Sequence, residues 1–454
     1  MAAGDEPAAR VASRGKSPFS LSGMEGDTRL GADGQCPDGD VLRQEQINGI
    51  LVTRVGPGIP ELDQLYTRMM ALTNVPGAAF VLCYKGRLVY AAGFGYSNLE
   101  DKIPFTPYTL CEIGSVSKVV ACTSMLTAVE EGRIRLDTKL VPVLEEQLAK
   151  RGYPPVPQRN PALDAITLKD AMNHSDGYFW DGAQADKIGQ TLGIPAESVT
   201  DIDVCRYLLR FPPRFTPGTK SEYGSHGLQL ALAVCAMEEN TDPETYIKNR
   251  LSRLGIFDAY CNGSHRGADY NPEATPSYNY DGNTGSFSKG AAYRGMWKDE
   301  GSAVGSWVMS PVSLARFGDR FLDVYRDPAR MSDLIINNRS DKNGGYALGW
   351  MSTKLPDGDG WYLGHGGSIG GWRTALTSGW NGFTIVGIFN SEDRRNNVLG
   401  HALYNPVPDS MFDEYNVPRE TIPPSCRDLL RKLSTRIQRG GFSRDLWTAA
   451  GYPN

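Results

Sequence analysis

Two serines in this chain sit in patterns that turn a hydroxyl into a nucleophile. In EIGSVSKVV, residues 112–120, Ser115 and Lys118 form S-x-x-K. Three residues along a helix returns to the same face, so this spacing sets an amine one turn from the hydroxyl. In GHGGSIGG, residues 364–371, Gly366-Gly367-Ser368-Ile369-Gly370 reads G-x-S-x-G, the pattern of a serine carried on a sharp strand-to-helix turn. Both patterns belong to acyl transfer through a serine oxygen. They disagree about which serine reacts.

The elements around each serine separate them. A nucleophile turn of the second kind requires a strand before the serine and a helix after it. The residues after Ser368 are IGGWRTALTSGWNGFTIVGIFN: two glycines, then β-type runs around a turn at 379–382. A chain with 51 glycines also produces G-x-S-x-G by chance, so Ser368 is not expected to be the nucleophile. Ser115 stands where an extended segment meets an apolar helix, with Val119, Cys122, Leu126 and Val129 on one face and Gly132 as the stop signal. Burial there lowers the proton affinity of a lysine, and the amides at the helix start suit a developing oxyanion. The plainer alternative is a capping serine and a lysine that reaches along the apolar face to water. A second S-x-x-K, Ser13 with Lys16, lies in a stretch with no apolar period and has no such context.

The pattern along the chain predicts an α/β (α+β) fold. Residues 1–45 lack apolar periodicity and read as a disordered tail. Leu62, Leu65, Met69 and Leu72 predict a helix, and GAAFVLCYKGRLVYAAGFGY predicts a β-hairpin about Lys85-Gly86. Residues 120–300 are largely helical segments between proline-bearing loops, GLQLALAVCAMEE being the most apolar. The short runs YALGWMS, GWYLG, RTALTS and FTIVGIFN predict antiparallel strands. One antiparallel sheet built from both chain ends, about 60–110 and 300–395, with an inserted helical subdomain at about 120–300, accounts for this order. The catalytic domain spans 46–400, and 401–454 is a C-terminal extension. Residues 258–300, rich in Gly, Asn and Tyr, read as a binding loop or lid. Tyr270, Tyr278, Tyr280 and Trp297 either line a pocket there or pack the loop down.

Composition narrows the function. With 40% hydrophobic and 22% charged residues the chain is ordinary for a globular protein, and its net charge of −5 gives no reason to expect nucleic acid or a membrane surface as partner. No apolar run approaches a membrane span of about 18 residues. The first residues have no apolar signal region, so a cytoplasmic location is expected. Eight cysteines stand singly, and Cys83, Cys122 and Cys235 within apolar runs read as buried thiols. Five histidines without ligand spacing give no metal site, and the N-x-S/T matches at Asn173, Asn262 and Asn338 are read as chance.

Beyond Ser115, the chain resembles the serine β-lactamase-like superfamily, which includes class C β-lactamases, D-Ala-D-Ala carboxypeptidases, family VIII esterases and related fungal transesterases. The resemblance runs from about residue 60 to 395 on segments in the family's order. TLCEIGSVSK resembles the nucleophile segment, and RIRLDTKLVPVL its usual continuation. ITLKDAMNHSDG is similar to I-T-x-x-x-L-L-x-H-T-S-G-L, and PGTKSEYGSHGLQLALAVCAMEE to the run around Y-S-N. GSWVMSPVSLARF, YALGW and GHGGSIGGW correspond to the last landmarks. The resemblance implies Ser115 as the acylated nucleophile and Lys118 as its proton-accepting neighbour. Tyr223 takes the Y-x-N position as general base or as the acid that protonates the leaving group. A phenol titrates near 10, so the first role requires a nearby cation, for which Lys118 is the candidate. His365, Gly366 and Gly367 take the strand position of K-T-G, His365 facing the substrate, and the N–H groups of Ser368 and Ser115 form the oxyanion hole. Read without the family, His365 is equally a strand-end histidine satisfied by hydrogen bonds.

Three departures shape the expected activity. Ser225 replaces the asparagine of Y-x-N, His365 replaces the lysine of K-T-G, and Asp176 stands where the family has serine. The second removes a permanent cation that would hold a substrate carboxylate. The expectation is therefore a serine hydrolase or acyltransferase working on an ester or thioester through acyl-Ser115, without a cofactor. Its partner is a small-molecule acyl substrate, free or carrier-bound. A β-lactamase or D-Ala-D-Ala carboxypeptidase is the alternative enzyme, and a non-catalytic binding or scaffold protein the alternative of another class.

Overall fold

Strand pairing joins the two ends of the chain. The structure, a computed structural model, describes residues 42–452 except 179–182, 184, 262–275, 282–283, 285, 291–302, 325–333, 341–344, 355–359, 380, 392–394, 396–397, 399–406, 422–425 and 440–444. From the N-terminal side come β1 (Arg43–Ile47), β2 (Ile50–Arg54), helix α1 (Pro60–Thr73), β3 (Gly77–Tyr84), β4 (Arg87–Asn98), β5 (Ile103–Pro104) and β6 (Cys111–Glu112). The β3–β4 turn is Lys85-Gly86, both residues at positive φ (46° and 84°), the geometry a two-residue hairpin turn requires. From the C-terminal side come β11 (Tyr346–Ala347), β12 (Trp350–Lys354), β13 (Trp361–Ile369), β14 (Trp372–Gly379) and β15 (Phe383–Phe389). The sheet order is β1-β2-β4-β3-β15-β14-β13-β12-β11, every pair antiparallel, with β5 beside β4. The sheet expected from sequence is thus present, and it extends one hairpin further toward the N-terminus: Arg43–Glu45, assigned to the tail, are strand. Residues 1–41 lie outside the described residues.

The alternation along β3 shows how the sheet is covered. Ala78, Phe80, Leu82 and Tyr84 belong to a core shared with α1 and with α11 (Arg427–Gln438), which follows α10 (Asp409–Glu414). Ala79, Val81 and Cys83 belong to the larger core on the other face, as a period of two demands. On the first face Tyr66 stacks flat on Phe80, ring centroids 3.7 Å apart. On the second lie α9 (Pro311–Val324) and the helical subdomain: α2 (Val116–Glu130), α3 (Leu140–Lys150), α4 (Leu168–Met172), α5 (Ala185–Leu192), α6 (Asp201–Leu208), α7 (His226–Glu238) and α8 (Pro243–Arg253). Helices α2 and α7 are buried almost all round, Glu238 at the end of α7 being exposed, so they form the middle of this subdomain rather than its surface. Among the described residues no helix is long and apolar enough to cross a membrane. The segment after residue 401 contributes to both cores: Leu430, Leu433 and Ile437 to the first, Leu446, Trp447 and Tyr452 to the second.

The 258–300 segment holds more regular structure than its composition indicates. β7 (Tyr260–Cys261) and β10 (Trp307–Met309) form a small sheet with β6, in the order β6-β10-β7, and β8 (Tyr278–Asp281) pairs with β9 (Ser286–Lys289). Tyr278 is fully buried: its hydroxyl accepts from the Leu99 amide at 2.6 Å and donates to Glu100 at 2.7 Å. It packs the segment down rather than lining a pocket. Tyr280 lies against Phe287, and Tyr270 and Trp297 lie outside the described residues.

The β11–β12 turn is seated on α2. A Cβ at Gly349, whose φ is +92°, would lie 2.4 Å from both Cβ and Sγ of Cys122, and the Trp350 indole N–H donates to Thr123 Oγ1 at 3.2 Å. Gly349→Ala adds overpacking to backbone strain and is expected to cost about 2–4 kcal/mol. Urea unfolding at neutral pH checks this; a loss under about 1 kcal/mol would contradict the contact.

Candidate active site

Ser115 stands at the N-cap position of α2 with φ −62° and ψ −8°, yet its side chain makes no capping bond. That removes the plain capping role. The hydroxyl faces two other groups. Lys118 Nζ donates to Ser115 Oγ at 3.3 Å and to the Val304 carbonyl at 2.7 Å, and Ser115 lies close enough to the Tyr223 phenol to hold its proton affinity down. Lys118 is 2% exposed; it does not reach to water. Helix geometry brings Lys118 back over Ser115, and the β6–β10 pairing fixes the turn before it. The Ile113 amide donates to the Trp307 carbonyl at 3.0 Å, while Ser117 Oγ accepts from the Trp307 amide at 3.2 Å.

Strand β13 runs beside this turn, backbone against backbone. A Cβ on Gly367 would lie 2.0 Å from the Ile113 carbonyl oxygen, and one on Gly114 would lie 2.7 Å from the Ser368 amide nitrogen. Gly114 also has φ +51°. Gly114 and Gly367 thus have a steric reason to be glycine, whereas Gly366 is exposed. Ser368 lies inside a strand that turns at Gly370-Gly371, φ 53° and 101°, into β14. A strand and not a helix comes after it, so the nucleophile-turn pattern fails here on geometry. The Ser368 amide lies beside Gly114, the residue before Ser115, and its side chain is exposed.

Tyr223 is held from below by the segment after α4. Ser221 Oγ donates to the Asn173 carbonyl at 2.8 Å, the Glu222 amide to the His174 carbonyl at 2.8 Å, and the Gly224 amide to His174 Nδ1 at 3.4 Å. Asn173 continues the brace to the sheet, its Oδ1 accepting from the Leu348 amide at 2.8 Å. Lys118 Nζ lies over the Tyr223 ring, 5.0 Å from its centroid. Burial pushes the phenol above its ordinary value and Ser115 works the other way. The Lys118 nitrogen, expected from sequence beside the phenol, thus lies over the face of its ring. Tyr223 remains 46% exposed at the mouth of the site. Ser225 precedes α7 without a side-chain capping bond, and the Val304 carbonyl takes up the second bond of the lysine.

His365 is buried, 7% exposed, and its ring is engaged on both sides. Nδ1 lies 2.6 Å from the Gly366 carbonyl and Nε2 lies 3.0 Å from the Tyr346 hydroxyl. It therefore does not face the substrate with a free edge. Its ring joins a cluster with His174, Tyr223 and Tyr346: centroids lie 4.6 Å apart for His174 and Tyr346, 4.8 Å for His174 and Tyr223, and 6.1 Å for Tyr223 and His365. The described histidines, His174, His226 and His365, are all held neutral near Lys118. Burial, then the lysine charge, lowers His174 to about 3; burial lowers His226 and His365 to about 4, with Lys118 adding to it.

Sequence reasoning singled out Ser115, Lys118, Tyr223, Ser225, His365, Gly366, Gly367 and Ser368, of which Ser225 stands at the start of α7 and the others are brought together as described, and it missed three contributors. Tyr346 and His174 lie in segments quoted for their resemblance, YALGW and ITLKDAMNHSDG, and their packing with Tyr223 and His365 is long-range. Val304 acts through its carbonyl, for which a sequence carries no signal.

Comparison with known proteins places the chain among relatives of one family. A family model described as Beta-lactamase matches residues 62–403. A "Beta-lactamase" of Escherichia coli (strain K12) is 27% identical over 42% of this chain and 42% of its own length. A "D-aminopeptidase" of Gluconobacter oxydans is 24% identical over 66% of this chain and 52% of its own. "Esterase EstB" of Burkholderia gladioli is 24% identical over 36% of this chain and 41% of its own. The chain thus spans about half or less of the length of these relatives. The octameric penicillin-binding protein homologue from Pyrococcus abyssi superposes with a TM-score of 0.55 at 21% identity, covering 73% of each chain, and shares the fold.

The neutral histidines give a pH dependence with a definite sign. A histidine titrating near 6.5 when unfolded and about 4 when folded takes up its proton in the unfolded state first, so it contributes stability above 6.5 that is lost as pH falls toward 4. Asp176, which burial pushes up to about 7, has the opposite sign, so a difference between variants isolates the effect. Between pH 8 and pH 5, His365→Gln is expected to lose about 2 kcal/mol less than wild type in urea unfolding. Equal losses would contradict a neutral, buried His365.

Proposed function

Because the chain belongs to the β-lactamase family, we propose that it is a serine hydrolase or acyltransferase that takes an uncharged acyl group from an ester or thioester through acyl-Ser115. The observation that carries this is the Ser115 hydroxyl, bonded at 3.3 Å to the Lys118 side-chain nitrogen, which itself lies over the Tyr223 ring, 5.0 Å from its centroid. Lys118, in its amine form, accepts the Ser115 proton as Oγ attacks the acyl carbon. The carbonyl oxygen becomes an oxyanion between the amides of Ser115 and Ser368, whose strand is pressed against the Ser115 turn. Tyr223 stays protonated in the free site, since burial raises it. It protonates the departing alkoxide or thiolate and is resupplied from Lys118. Water, or an alcohol or amine, then attacks the acyl-enzyme by the reverse route. The neighbouring histidines, lowered to about 3 or 4, are too weakly basic for the role given to Lys118.

The uncharged acyl group follows from position 365. A buried neutral imidazole stands where a permanent cation would hold a carboxylate. A second reading, β-lactamase or D-Ala-D-Ala carboxypeptidase, is favoured by one residue: Arg373 stands opposite Ser368 in the β13–β14 register, a cation on the neighbouring strand. Relatives named β-lactamase, D-aminopeptidase and esterase fit a fold whose acyl specificity is set by such positions.

Steady-state rates decide between the two. The p-nitrophenyl ester of butyrate is expected to exceed that of hemisuccinate by at least about tenfold in kcat/KM, with nitrocefin slower than either. Lys118→Ala and Tyr223→Phe are expected to lower kcat by about 10²–10⁴. Nitrocefin turnover above both esters, or a preference for hemisuccinate that Arg373→Gln abolishes, would replace this reading with the second.

A further inference from the structure

We propose that Tyr346 is a positioning residue of the acyl site, acting through His365 to hold the two-glycine segment of β13 against the nucleophile. The inference rests on the acyl-Ser115 reading and adds a residue to it. A carbonyl can only accept, so the 2.6 Å contact with the Gly366 oxygen assigns the ring proton of His365 to Nδ1. Nε2 then presents a lone pair, and the Tyr346 hydroxyl, 3.0 Å away, must donate to it. The result is a one-way chain: Tyr346 O–H to His365 Nε2, His365 Nδ1–H to the Gly366 carbonyl. Both side chains of it are screened from water, His365 and Tyr346 each being 7% exposed.

The end of this chain is where a brace is required. Gly366 and Gly367 form the loosest backbone a strand can have, yet Gly367 must lie flat on the Ile113 carbonyl and the following amide must lie beside Gly114. The hydrogen bond to Gly366 fixes the peptide immediately before these contacts. Tyr346 is itself fixed: its ring packs at 89° on His174, and β11 pairs with β12 through Tyr346 and Met351. A phenylalanine at 346 keeps the ring and its packing and removes only the donor.

The test uses the full chain with Tyr346→Phe, His365→Leu, His365→Gln and the Tyr346→Phe/His365→Leu pair, and p-nitrophenyl butyrate as substrate. Tyr346→Phe is expected to lower kcat about tenfold with KM changed less than about threefold, and to leave the Tm within a few degrees. The double variant is expected to be no slower than the slower single, because both break one chain. His365→Gln, whose amide can accept from Tyr346 and donate to Gly366, is expected to recover most of the rate. In [¹⁵N]histidine NMR at pH 7, wild-type His365 is expected as the Nδ1–H tautomer, with its Nε2 signal moving toward that of an unbonded ring nitrogen in Tyr346→Phe. Wild-type kcat in Tyr346→Phe, additive losses in the double variant, or an Nε2–H tautomer would overturn the proposal. Absence of any acyl adduct on wild-type Ser115 would instead sink the underlying reading, and the tautomer measurement would still judge the hydrogen-bond chain.

Discussion

The site depends on one place where two backbones touch with no side chain between them. The Ile113 carbonyl occupies the space a Cβ on Gly367 would need, and the Ser368 amide lies within reach of the missing Cβ of Gly114. This contact sets the turn before α2, in the first third of the chain, against a strand near its end. It exists because the sheet closes β3 onto β15 and so brings β13 over α2. Every other part of the site is arranged around it: the β6–β10 pairing holds the turn, Gly349 seats the β11–β12 hairpin on Cys122, and Asn173 ties the Tyr223 segment to that hairpin.

Around that contact the electrostatics are built from neutral groups and one buried lysine. Lys118 is held by a hydroxyl and a backbone carbonyl. Taking an ammonium out of water is costly unless the proton can leave, which is what the proposed exchange with Ser115 requires. The histidines nearby are lowered partly by the same lysine, so they neither compete for the proton nor add charge. Their tautomers are set by backbone: a Gly224 amide donating to His174 and a Gly366 carbonyl accepting from His365. The site therefore forms a dipolar wall around Ser115 and Lys118.

Much of this was legible in the sequence, for reasons that can be named. Ser115 and Lys118 are local, one helical turn apart, and the sheet strands announce themselves by period and by turn residues such as Lys85-Gly86. The residues after Ser368 are strand formers, and the structure has β14 there in place of the helix a nucleophile turn needs. The illegible part is long-range. That His365 is turned inward rather than toward substrate depends on Tyr346, nineteen positions earlier and on a different strand. That Lys118 finds a second partner depends on the Val304 carbonyl, 186 residues away. Tyr278, read as a pocket or packing residue, was decided by a hydrogen bond to Leu99. Spacing encodes neighbours on one element; it does not encode which backbone groups a fold will bring to them.

The central claim is that Ser115, and not Ser368, carries the acyl group. Intact-protein mass spectrometry after brief incubation with p-nitrophenyl butyrate, with peptide mapping of the product, tests it on wild type, Ser115→Ala and Ser368→Ala. One butyryl adduct is expected on wild type and on Ser368→Ala, mapped to the peptide containing Ser115, and none on Ser115→Ala. An adduct that survives in Ser115→Ala and disappears in Ser368→Ala would contradict the account.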